Sequence, residues 1–168
     1  MSRDAIAPTR RIHTQPLTIA AFAPYGEVIE HAGDQRRRYL SAPFEHSAPA
    51  ATSTFWVSEV THASNGPVLL EVLERHPWSA QTFIPLTYAG YLVVVAPTLI
   101  NGLPDLDNLQ AFEASPQQGV CYRTGVWHHG LSVLKAPAQF VVTMTVSGGQ
   151  GDDEFWDVPC PIEVVLSR

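Results

Sequence analysis

Lysine is almost missing from this chain: Lys135 stands alone against nine arginines. Any Schiff-base chemistry would rest on that one side chain, beside Ala136-Pro137 in an expected turn, which argues against it. Cysteine is scarce as well. Cys121 and Cys160 form no CxxC pair and cannot build a disulfide framework. No apolar run approaches the ~20 residues that span a bilayer. Residues 1–11 are charged and lack the apolar core of a secretory signal. No membrane association is expected, and the expected compartment is the cytoplasm. A basic surplus is also lacking, since the formal net charge is -6. Nucleic acid is therefore excluded as an expected partner. The one dense basic run, Arg36-Arg37-Arg38, reads first as a solvated loop. Phosphate-loop, nucleophile-elbow and zinc-finger spacings are all absent.

What is present suits one domain. The 168 residues, 45% hydrophobic and 15% charged, describe an ordinary globular chain with a single core over 1–168. Residues 1–14 are expected to form a flexible N-terminal arm. Fourteen prolines and eleven glycines are spread along the chain rather than concentrated. Breakers between short β-rich runs predict a mainly β barrel or sandwich. Strands are expected at 54–60, 68–73, 81–86, 91–96, 119–123, 129–134, 140–146 and, as a closing edge strand, 162–166. A short helical turn is expected at 18–22, capped by Thr18 and stopped by Pro24. A second helix is predicted over 105–112, from Leu106, Leu109 and Phe112 at helical spacing with Asp105 as N-cap. Residues 31–52 show no clear periodicity and read as a long loop or an irregular β segment.

Two clusters carry polar chemistry at the ends of apolar runs. The first runs from Glu74-Arg75-His76-Pro77 to Gln81; the second is Gly125-Val126-Trp127-His128-His129-Gly130. Strand side chains alternate, so an extended Glu74-x-His76 puts both groups on one face. Pro77 then forces a turn, and Gln81 opens the next strand. His128 joins them if its strand pairs nearby. Adjacent histidines face opposite ways, so only one of His128 and His129 is expected in a pocket; His128 is favoured. Taken singly, each residue reads more readily as surface or core; taken together they read as pocket wall. Arg123, beside Tyr122 in a β run, and Arg38, before Tyr39, are candidate anion sites. Set against metal rules the His/Gln/Glu/His group is a weakened divalent-metal pattern, and no cofactor is expected.

These stretches resemble the ureidoglycolate lyase family. The resemblance is carried by residues 21–30, by Leu73-Glu74-Arg75-His76-Pro77 with residues 81–86, by 93–96, by 104–106 and 109–112, and by 118–120 leading to Gly125-Val126-Trp127-His128-His129. It implies a cupin-like double-stranded β-helix barrel with one or two short helices, commonly a homodimer. It also implies an enzyme that splits ureidoglycolate, a small anionic substrate, into glyoxylate and urea. Glu74, His76 and His128 would then be catalytic. Arg75, Gln81, Tyr122, Arg123 and Arg38 would hold substrate. The chain departs from the family pattern at 31–35, 121–124, Gly130 and Met144-Thr145, and several departures replace polar residues. Two rivals are carried forward: a related barrel enzyme acting on another small hydroxy or keto acid, and a barrel that binds a small acid without turnover. With a single lysine, arginine is expected to anchor the substrate carboxylate, with Arg75 and Arg123 placed first.

Overall fold

The computed structural model describes residues 10–149 and 151–167. It is mainly β, in two sheets that wrap a shared interior as a cupin-like barrel. The strands in chain order are β1 (Arg10–His13), β2 (Gln15–Pro16), β3 (Gly26–Ile29), β4 (Thr52–Val60), β5 (Val68–Arg75), β6 (Gln81–Pro85) and β7 (Tyr91–Ala96). They continue as β8 (Gln110–Ala114), β9 (Gly119–Tyr122), β10 (Trp127–His128), β11 (Ser132–Val133), β12 (Ala138–Val146) and β13 (Glu154–Val165). One sheet runs β1-β13-β5-β10-β7-β8-β2, with β11 beside β7; the other runs β3-β9-β6-β12-β4. No helix among the described residues is long and apolar enough to cross a membrane.

The core explains the run of six apolar residues in β7. Both of its faces are buried: Tyr91, Val93 and Val95 pack with Phe112, Phe140 and Tyr122, while Leu92, Val94 and Ala96 pack with Leu70, Leu73 and Trp127. A strand covered on both sides needs no polar alternation. Thr18 caps the one α-helical turn, α1 (Ile19–Phe22), by accepting a hydrogen bond from the Ala21 amide, and Phe22 plugs the interior.

Three expectations are corrected. The helix over 105–112 is a single 3₁₀ turn, Leu106–Asn108, capped by Asp105, after which the chain enters β8. Phe112 alternates inward from that strand instead of lying on a helical face. The expected edge strand at 162–166 is the end of the twelve-residue β13, which lies between β1 and β5. Part of the expected arm is strand as well: Arg10 to His13 pair in parallel with Ile162 to Val165. Residues 1–9 of that arm lie outside the described residues.

Candidate active site

The β5–β6 turn and β10 build one end of the barrel interior. Glu74 is the last residue but one of β5, and His76 follows it by two residues, so both turn to the same side. His128 on β10 pairs directly with Glu74 on β5 and with Val95 on β7. Gln81 opens β6, in register with Tyr122 on β9 and Met144 on β12. The two sequence clusters are also joined through the backbone: the Gly125 amide donates to the His76 carbonyl at 2.9 Å. Glu74, His76, Gln81 and Met144 line a cavity of about 720 Å³ with Thr54, Trp56, Asp152, Asp153 and Phe155.

The hydrogen bonds set the state of each ring. His76 Nδ1 faces Asp153 Oδ1 at 2.8 Å and the Asp152 carbonyl at 3.2 Å. Two acceptors at Nδ1 hold the ring proton there and leave a lone pair at Nε2. That Nε2 is buried and has no hydrogen-bond partner among the described residues. A buried, unsatisfied polar atom beside a cavity is costly to keep unless something binds it. His128 Nδ1 lies 2.9 Å from the Val126 carbonyl, and its Nε2 lies 3.2 Å from Gln81 Oε1 and 3.5 Å from Glu74 Oε1. The Tyr122 ring stacks on His128 at 4.1 Å between centroids and 12° between planes, which locks the imidazole.

Burial and the nearby His128 push the His76 imidazole below its ordinary range, against the pull of Glu74 and Asp153. Glu74 shows the opposite balance. Burial raises its carboxyl, but the hydrogen bond to His128 and the surrounding histidines outweigh that and lower it. The site thus holds a neutral imidazole beside an ionised carboxylate near pH 7. One donor atom each from Glu74, His76 and His128 lie within 4.8 Å of one another, close enough to share one divalent ion. The orphaned His76 Nε2 is what such a donor set requires.

The structure therefore brings Glu74, His76, Gln81 and His128 together and separates the arginines from them. Arg75 alternates to the opposite face, where it bonds Glu154 Oε2 at 2.6 Å and lies 4.5 Å over Trp127. Arg123 donates to the Ala23 carbonyl at 3.0 Å and faces Glu45 at 3.6 Å. Arg38 pins the irregular 31–52 segment by donating to the Val28 and Glu30 carbonyls at 2.7 and 2.9 Å. Among the described residues, none of the cavity's lining groups is arginine or lysine. Strand alternation and the backbone carbonyls that claim these guanidiniums place the expected arginine anchors away from the cavity wall. Tyr122 lies behind His128 rather than on the cavity wall. His129 turns away to Ser132 Oγ at 3.0 Å. Sequence reasoning missed Asp152 and Asp153. Their signal was an acidic pair directly after the glycine-rich end of a strand.

A cupin-like barrel with a buried Glu-His-His group opening on an interior cavity is the class this fold and site define. The chain belongs to the ureidoglycolate lyase family, whose model matches residues 9–164. A putative ureidoglycolate lyase of Agrobacterium fabrum is 35% identical over 94% of this chain and 97% of its own. The ureidoglycolate lyase of Schizosaccharomyces pombe is 33% identical over 94% of this chain and 96% of its own. Among solved structures, a 3'-monoepimerase of Streptomyces bikiniensis is 20% identical over 84% of this chain and 71% of its own, with a TM-score of 0.46.

Proposed function

We propose that this protein cleaves ureidoglycolate to glyoxylate and urea in the cavity above Glu74, His76, Gln81 and His128. The observation that carries the reading is the buried, unpartnered Nε2 of His76, with its ring proton held at Nδ1 by Asp153. Family membership supports the choice of substrate.

The hydroxyl and the ureido nitrogen of this substrate sit on one carbon. A single neutral imidazole can take the hydroxyl proton at Nε2 and return it to the departing nitrogen. The O–H electron pair becomes the carbonyl of glyoxylate, and the C–N pair leaves on urea. Gln81 supplies the donor for the substrate carboxylate, since its amide nitrogen has only the Met144 thioether at 3.8 Å, a weak acceptor. Glu74 and His128 hold each other and so fix the base of the site.

A second reading is favoured by the 4.8 Å donor cluster. Glu74, His76 and His128 would hold a divalent ion, which when bound supplies a Lewis acid to the substrate oxygens. A cofactor-free site remains the first reading. Chelation separates the two, because turnover that survives complete metal removal belongs to His76 alone.

We further propose a cytoplasmic homodimer. Supporting this, β4 is a nine-residue edge strand with Glu59 as its single charge, and Phe55 and Val57 are exposed on it. The test of the activity follows urea and glyoxylate from ureidoglycolate. His76→Asn is expected to lower kcat by at least ~10²-fold, the usual worth of a positioned general base. Binding of the acid without turnover by the unaltered protein would favour a non-catalytic barrel instead.

A further inference from the structure

The cavity has a charge order that the cleavage chemistry leaves unused. Side-chain exposure rises from 1% at His128 to 22% at Glu74. It goes on from 5% at His76 to 52% at Asp153. Imidazoles and an amide therefore sit deepest, Glu74 lies partly exposed against His128, and Asp153 alone of these groups stands at the mouth. Ureidoglycolate has a matching asymmetry: a carboxylate at one end and a planar ureido group, rich in N–H donors, at the other. A carboxylate at the mouth would meet Asp153 with like charge. A ureido group there would find an acceptor.

Asp153 has the capacity to accept. Its Oδ1 takes the His76 Nδ1 proton at 2.8 Å, and its second oxygen makes no hydrogen bond among the described residues. Asp152 is not available in the same way, because its two oxygens accept from the Ser147 amide at 2.8 Å and the Ser147 hydroxyl at 2.9 Å. The inner end is marked independently, by the His76 Nε2 that is buried without a partner and by the weakly bound Gln81 amide.

We infer that Asp153 is a specificity-determining residue: it receives the ureido N–H groups at the mouth, so the substrate lies carboxylate-inward and urea departs before glyoxylate. The inference rests on the ureidoglycolate reading of the site. With this orientation the hydroxyl faces His76 Nε2, and the C–N bond points outward. Once that bond breaks, urea has an open path to solvent, while glyoxylate is still held by the inner donors.

Inhibition kinetics test it. Glyoxylate, as the last product to leave, is expected to compete with ureidoglycolate in the unaltered protein; a noncompetitive pattern overturns the orientation. Asp153→Asn keeps an oxygen for His76 but loses the charge that attracts the ureido group. It is expected to raise the inhibition constant of ureidoacetate, which has a ureido group and no hydroxyl, by about 10-fold, the size of one charged hydrogen bond. That of glyoxylate, which has no ureido group, should stay within about 2-fold. Equal rises for both would overturn the assignment and leave Asp153 only as the partner of His76. If the unaltered protein releases no urea and glyoxylate from ureidoglycolate, the activity reading falls and takes this one with it. Turnover with noncompetitive glyoxylate removes the orientation alone.

Discussion

Arg75 is braced on the far side of β5 by Glu154, by the Gly102 carbonyl at 3.0 Å and by the Trp127 ring. Its work is structural. Arg75→Gln is therefore expected to leave the substrate concentration for half-maximal rate within about 2-fold. Stability should fall by about 1–2 kcal/mol, from a lost cation–π contact and a partly exposed ion pair. Steady-state kinetics and a thermal midpoint check both halves. A large kinetic effect with an unchanged midpoint would restore the arginine anchor. Alternation along β5 sets Arg75 apart, since Glu74 and His76 share a face that Arg75 cannot, yet by sequence Arg75 stands first, with Arg123, as the carboxylate anchor. What alternation could not supply was the partner on each side. Asp153 lies 77 residues from His76, and only the pairing of β13 with β5 brings them together.

His129 carries a second residue-scale consequence. Burial holds its imidazole below the ordinary value of 6.5. As pH falls through that value the unfolded chain takes up a proton that the folded chain refuses, so stability falls with it. The loss continues until the lowered folded value is reached, and His76 adds in the same direction. The thermal midpoint is expected to drop as pH falls through 6.5, and His129→Gln should flatten part of that drop. An identical slope in the variant would remove His129 from the account.

At the scale of elements, the turn before β10 decides where His128 points. Gly125 has φ +77, a backbone conformation that side-chain-bearing residues rarely adopt, and its amide binds the His76 carbonyl. Gly125→Ala is expected to cost about 1–2 kcal/mol through that conformation alone. Space is not the obstacle, as nothing lies within 4 Å of an added Cβ. Because the turn carries both clusters, kcat should fall with the thermal midpoint. Full activity at an unchanged midpoint would show that the turn tolerates another conformation. Elements with strong alternation or unbroken apolar character, β6, β7 and β12, were legible in the sequence nearly to the residue. The 105–112 segment was not. Leu106, Leu109 and Phe112 satisfy a helical period, yet the same residues serve a 3₁₀ turn and then an inward strand position. Pairing with β7 over five residues outweighs the weak local preference for helix.

At the scale of the whole molecule, the outer face of the β3-β9-β6-β12-β4 sheet is covered in part by the 3₁₀ turn Ala42–Phe44, which packs on β9 and β12, and apolar side chains beyond that turn stay open. Phe55, Val57 and Ile84 are exposed there at 71%, 55% and 38%. A groove of about 550 Å³ runs beside them, between Phe44 and Ile84. An apolar sheet face ending in an edge strand whose single charge is Glu59 invites pairing with another copy, because the apolar stretch around Phe55 and Val57 meets itself across a two-fold axis with little repulsion. Phe55→Glu would place two like charges across such an axis. It is expected to shift the protein from dimer to monomer in light scattering at micromolar concentration, with the β-rich circular dichroism retained. Glu74, His76, Gln81 and His128 meet within one chain, so the monomer is expected to bind glyoxylate still. If Phe55→Glu leaves the dimer intact, the interface lies on another face; if the unaltered protein is itself monomeric, the exposed aromatics serve something other than self-association.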